Sequence, residues 1–93
     1  MMTYEEVMEL LATVDADLSV WEYSDGSQIS VTVEDFEGFD DNWDEVYRDY
    51  DEEAIDAVYE TLCKASVSVE GDFYRYLHFD GFTVVWGYAS FDI

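Results

Sequence analysis

The densest candidate chemistry in this chain is carboxylate. Between Glu34 and Glu60 stand 13 acidic residues and one arginine, Arg48. They are Glu34, Asp35, Glu37, Asp40, Asp41, Asp44, Glu45, Asp49, Asp51, Glu52, Glu53, Asp56 and Glu60, with Trp43 and Tyr47 set among them. Carboxylates can work as an acid–base pair, ligate a hard cation, or present fixed negative charge. Acid–base work needs one pair set apart by its surroundings; here such pairs occur throughout and none stands out. For calcium, Asp40, Asn42, Asp44 and Asp51 fall at loop positions 1, 3, 5 and 12. The glycine that the sharp turn needs is replaced by Glu45, and the bidentate glutamate that should close the loop is Asp51. No specific metal site is expected.

Fixed charge remains. On a helix, carboxylates three or four residues apart have Cβ atoms about 5–6 Å apart. Glu45/Asp49, Asp49/Glu52, Glu52/Asp56, Glu53/Asp56 and Asp56/Glu60 are such pairs. A row of them offers rigid negative charge on the length scale of a duplex phosphate backbone. The whole acidic stretch is therefore read as a partner-binding surface. Trp43 and Tyr47 are its expected anchors, because interfaces concentrate their energy in such rings.

Other chemistry is thinly supplied. Cys63 is the one cysteine and His78 the one histidine, so neither a zinc set nor a disulfide can be built. Cys63 ends a helical stripe and reads as a small packed residue. There is no glycine-rich phosphate loop and no serine elbow. The expectation is a non-enzymatic protein without a cofactor.

The acidity extends along the chain. Twenty-four acidic residues face three basic ones, Arg48, Lys64 and Arg75, for a net charge of −21 over 93 residues. A small domain more often carries a net charge of about 2–8, since a surface of one sign repels itself. Yet 49% of residues are hydrophobic and 18% aromatic, against the composition of a disordered acidic tail. One folded domain over residues 1–93 is expected. The N-terminus lacks a basic n-region and a long apolar run, so neither a signal peptide nor a membrane span is expected. The expected location is cytoplasmic (the host cytoplasm, if the chain is phage-encoded). Direct binding to nucleic acid or to anionic lipid is disfavoured by sign. Crowded carboxylates should also make stability fall as pH rises from about 5 to 8 in low salt.

The elements that must position these residues follow from periodicity and turn chemistry. Thr3 and Glu6 form a capping box, and Tyr4, Val7, Met8, Leu11 and Val14 have helical spacing, predicting a helix over about 3–14. Asp25-Gly26 separates two alternating runs and predicts a hairpin pairing Leu18/Val33, Val20/Val31 and Glu22/Ile29. The spacing of Trp43, Val46, Tyr47 and Tyr50 suggests a short helix near 41–49. A helix over about 51–65 carries Ala54, Ile55, Val58, Tyr59, Leu62 and Ala65 on one stripe. Asp80-Gly81 predicts a second hairpin pairing Phe79/Phe82, Leu77/Val84, Arg75/Trp86 and Phe73/Tyr88 on one face. His78/Thr83, Tyr76/Val85 and Tyr74/Gly87 lie on the other. The expected fold is α+β, an antiparallel sheet of about five strands with two or three helices on one face, in the order α-β-β-(α)-α-β-β-β.

The second sheet face should then show Trp21, Tyr23, Tyr74, Tyr76 and His78. Aromatics beside nucleic acid imply base stacking only where a basic groove holds the backbone, and none exists here. The face is read either as a protein contact, including a homodimer surface, or as a second small core covered by residues 34–50.

In size, acidity and aromatic content the chain resembles the small nucleic-acid-mimicking inhibitors of phages and mobile elements, the anti-CRISPR and anti-restriction proteins. The resemblance implies host-defence evasion. A folded acidic protein occupies the positively charged channel of a nucleic-acid-binding partner (a CRISPR effector, a restriction enzyme or a nuclease) and blocks it competitively. A small acidic nuclease inhibitor resembling the barstar type would use the same physics. The rival reading is environmental: a halophilic cytosolic domain also carries excess acid, screened where the Debye length falls to about 3 Å in 1 M salt.

Overall fold

The first helix begins where the capping box places it. In the computed structural model, which describes residues 2–14, 17–34, 36–47, 49–72 and 74–89 apart from the side chains of 36, 88 and 89, α1 spans Tyr4–Ala12. The Glu6 amide donates to Thr3 Oγ1 at 3.2 Å, and the Thr3 amide donates to Glu6 Oε1 at 3.1 Å. Val7 and Leu11 are fully buried on one side. α2 spans Glu52–Ala65 behind Asp51, whose Oδ1 accepts the Ala54 amide at 3.1 Å. It buries Ile55, Val58 and Leu62, while Cys63 packs half-buried at the rim of the core.

The described residues also form seven strands: β1 Leu18–Glu22, β2 Gln28–Glu34, β3 Phe36–Phe39, β4 Glu45–Tyr47, β5 Ser68–Glu70, β6 Arg75–Phe79 and β7 Phe82–Ala89. Five form one sheet in the order β1-β2-β7-β6-β5, and β3 and β4 form a separate two-stranded sheet. The class is α+β, as expected. Both tight hairpins keep the register that their turns dictate: Leu18 opposes Val33, Val20 opposes Val31, Leu77 opposes Val84 and Phe79 opposes Phe82. Phe73 lies outside the described residues, so its pairing with Tyr88 does too.

The first loop is wider than the two residues that Asp25-Gly26 suggests. The Tyr23 amide donates to the Gln28 carbonyl at 3.0 Å, and the Gly26 amide donates back to the Tyr23 carbonyl at 3.0 Å. Gly26 supplies the positive φ of 73° that this return needs. The register survives because the loop widens symmetrically.

Two features depart from the sequence expectation. The central pair, β2 with β7, is parallel, running from Gln28 opposite Thr83 to Glu34 opposite Ala89. All other pairs are antiparallel. Ile29, Val31 and Val33 of β2 and Val84 and Trp86 of β7 thereby share the face covered by the helices, and all five are buried. Period-2 alternation buries the same face in either orientation, so it does not specify parallel or antiparallel pairing.

The second departure is at 41–49, where there is no helix. The segment is the β3–β4 hairpin, with a bulge between Phe36 and Gly38. Aspartate and asparagine compete for backbone donors and so favour turns over helix interiors. Asp40 does this twice. Its Oδ1 accepts the Asn42 amide at 2.9 Å and the Asp44 amide at 3.0 Å. The turn also sets Trp43 at φ 63°, a left-handed conformation that no helix could continue.

Candidate functional site

The acidic residues occupy two displayed elements. Glu37 lies on β3, Asp40, Asp41 and Asp44 in the turn, and Glu45 with Tyr47 on β4; all are exposed. Asp49 lies between the hairpin and α2, and Glu52, Glu53, Asp56 and Glu60 line exposed positions of α2. Glu34 ends β2, exposed. Asp35 falls outside the described residues. Helical proximity therefore holds for Glu52/Asp56, Glu53/Asp56 and Asp56/Glu60. It does not hold for Glu45/Asp49 or Asp49/Glu52, because no helix joins them.

Along α2, Glu52, Asp56 and Glu60 climb by about 6 Å per step. That is close to two phosphate rises along one strand of a duplex, about 6.8 Å. The row ends at Lys64, four residues on, where a cation suits the helix C-terminus.

The hairpin turn is rigidly built. The Trp43 amide donates to the Asp40 carbonyl at 3.1 Å, and the Asp40 amide donates to the Asp44 carbonyl at 3.0 Å. Trp43 is 81% exposed, above any other large hydrophobic residue among those described. Its ring centroid lies 6.1 Å from that of Phe39, tilted by 50°. Sequence reasoning does not single out Phe39, because only the hairpin brings it beside Trp43. On β4, the Tyr47 hydroxyl donates to Glu45 Oε2 at 2.6 Å. A bulky residue held at positive φ costs roughly 1–3 kcal/mol, and such strain concentrates at functional sites.

Comparison with protein-family models, curated proteins and solved structures found no match.

Asp40 and Asp51 both direct carboxylate oxygens at backbone amides. Among the described residues no three His, Cys, Asp or Glu side chains are grouped to hold a metal ion. Among those residues, too, no helix is long and apolar enough to cross a membrane.

Asp40→Ala removes the acceptor that closes the turn. Amide exchange at Asn42 and Asp44 is expected to accelerate, while global stability changes by no more than about 1 kcal/mol, since no described side chain of this hairpin is buried. Asp40→Asn keeps an acceptor oxygen and should preserve protection. Exchange measured by NMR separates the two.

The Glu6 and Asp25 carboxyls are each held down by hydrogen bonds. Glu6 is held below the ordinary value by hydrogen bonds from the Thr3 amide and then its hydroxyl. Asp25 is lowered by the Ser27 hydroxyl at 2.6 Å and the Ser27 amide at 2.9 Å. A folded pKa below the unfolded one contributes stability above the unfolded value, about pH 4, and loses it as pH falls through the folded value. The α1 start and the β1–β2 loop should therefore loosen below about pH 4. Thr3→Ala should flatten the acid limb of a urea-midpoint profile. At Tyr4, burial and then the Glu22 carboxylate, which accepts from the hydroxyl at 2.9 Å, push the phenol up.

The other sheet face is open. Trp21, Tyr23, Tyr74 and Tyr76 are exposed, from 42% at Tyr76 to 69% at Trp21. This excludes the second small core under residues 34–50. Along the face, Trp21 opposes Ser30, Ser30 opposes Val85, Val85 opposes Tyr76 and Tyr76 opposes Glu70. His78 Nε2 lies 3.1 Å from Glu70 Oε1 without the alignment of a hydrogen bond. Tyr74 lies across Gly87, where a Cβ would come within 2.7 Å of its ring. Only glycine leaves room for that ring.

Proposed function

We propose that this protein is a non-enzymatic mimic of nucleic acid that blocks a basic DNA- or RNA-binding partner by occupying its channel. The observation that carries the reading is the β3–β4 hairpin, which displays Trp43 at its tip between Asp41 and Asp44. A ring at the tip supplies the apolar anchor that binding energy needs. The carboxylates around it supply steering and sign. The row on α2 extends the negative surface at a rise close to that of alternate phosphates. A CRISPR effector's DNA channel, a restriction enzyme's cleft and a nuclease groove all have the complementary charge.

The experiment is competition. A labelled duplex is bound to a CRISPR effector, a restriction enzyme or a nuclease, and this protein is titrated in. Displacement of the duplex from one of them, weakening as salt is raised, supports the reading. A ternary complex with the duplex still in its channel, or no displacement from any of the three, overturns it.

A further inference from the structure

The open face of the five-stranded sheet has a profile and a charge that fit a second copy of the same chain. Two aromatic ridges run along it, Trp21 of β1 with Tyr23 just after the strand, and Tyr76 of β6 with Tyr74 just before it. Between them the middle of β2 and β7 carries small side chains on this side, Ser30 and Thr32 beside Thr83 and Val85, with Gln28 and Glu34 at the two ends of β2 and the Tyr74 ring over Gly87. The ridges stand three strand spacings apart, about 14 Å, leaving a trough one ridge wide.

The charge is as distinctive as the shape. The residues of the five strands that point to this side include two carboxylates, Glu34 at the end of β2 and Glu70. Glu70 sits on the edge strand β5 beside His78. On a chain of net charge −21, such a surface is where two copies can meet without opposing rows of carboxylates. A basic partner finds few carboxylates there, and a nucleic acid finds no Lys or Arg among the described residues to hold its backbone.

We propose that this face is the interface of a two-fold symmetric homodimer. The Trp21 ridge of each copy seats in the β2–β7 trough of the other, and the same patch serves both sides. The acidic hairpins and α2 helices then lie away from the interface, on the outside of the pair.

Salt gives this association a signature opposite to that of a mimic and its target. Each copy repels the other at long range, so screening helps assembly and hinders capture of a basic protein. Sedimentation of the full chain, from micromolar to near-millimolar, is compared in about 0.1 M and about 1 M salt, where the Debye length falls from about 10 to about 3 Å. A monomer–dimer equilibrium is expected, with the dissociation constant falling at least about tenfold at the higher salt. Val85→Asp sets a carboxylate in the trough of both copies and should abolish the dimer. Ser30→Glu does the same from the neighbouring strand and serves if the first variant does not fold. A monomer under every condition overturns the proposal. So does a dimer that survives whichever of these variants folds, which would mean pairing through a strand edge or another surface. Loss of the dimer leaves the competition result untouched, so the two readings fail separately.

Discussion

Reversing Asp44, Glu45, Asp49, Glu52 and Asp56 to lysine is expected to weaken binding to the proposed basic partner by at least about a hundredfold, whereas reversing Glu5 and Glu9 should change it by less than about threefold. The first set spans the hairpin and α2, and every member is exposed. Each reversal replaces an attraction with a repulsion against the same cation. The second set sits on α1, outside the 34–60 stretch in sequence. Glu6 is left intact because its carboxylate closes the capping box, and its loss would confuse binding with folding. Asp40 and Asp51 are spared for the same reason. Trp43→Ala, which alters no charge, should by itself cost about tenfold or more if the ring is an anchor. Isothermal titration with circular dichroism on each variant checks the result. Equal losses from the two charge sets would mean a diffuse field rather than a defined surface.

Trp86→Ala should lower stability by about 3–5 kcal/mol, a large share of what a domain of this size has. Trp86 is 1% exposed and packs on Tyr59 with ring centroids 5.3 Å apart. Its indole Nε1 is buried with no hydrogen-bond partner among the described residues. An unmet buried donor is itself destabilising, so the tryptophan is not the ideal occupant of its own site. Trp86→Phe removes that donor and keeps most of the volume. It should cost less than about 1.5 kcal/mol. Urea melts followed by far-ultraviolet circular dichroism compare the two, since the substitutions themselves alter tryptophan fluorescence. Equal losses from alanine and phenylalanine would mean that Nε1 has a partner in solution.

Local chemistry was legible in the sequence wherever neighbours along the chain decide the outcome. The Thr3–Glu6 cap, the hairpin registers at Leu18/Val33 and Phe79/Phe82 and the apolar stripe of α2 all follow from spacing and turn residues. The parallel contact of β2 with β7 was not legible, because no turn joins those strands. The trough between Trp21 and Tyr76 was hidden for the same reason: its floor exists only once that pair forms. At 41–49 the helical spacing of Trp43, Val46 and Tyr47 coincided with the turn chemistry of Asp40 and Asn42. Side chain-to-backbone bonding won because no apolar surface was on hand to bury a helix face. Most of the acidic site could be named from composition, but its division between a hairpin and a helix could not.

The parallel pairing also orders the protein's birth. β7 follows every other strand in the chain, yet it lies between β2 and β6 at the sheet's centre, with each β2 residue meeting a partner 55 positions later. During synthesis, α1, the first hairpin and α2 leave the ribosome before the strand that unites them. Until it arrives, Ile29 and Leu77 lack their central neighbour Val84. The acidic stretch lies inside the loop that this pairing closes. Its self-repulsion therefore adds to the entropy of closure. Assembly of the sheet is a long-range event, and added salt should quicken it by screening that repulsion.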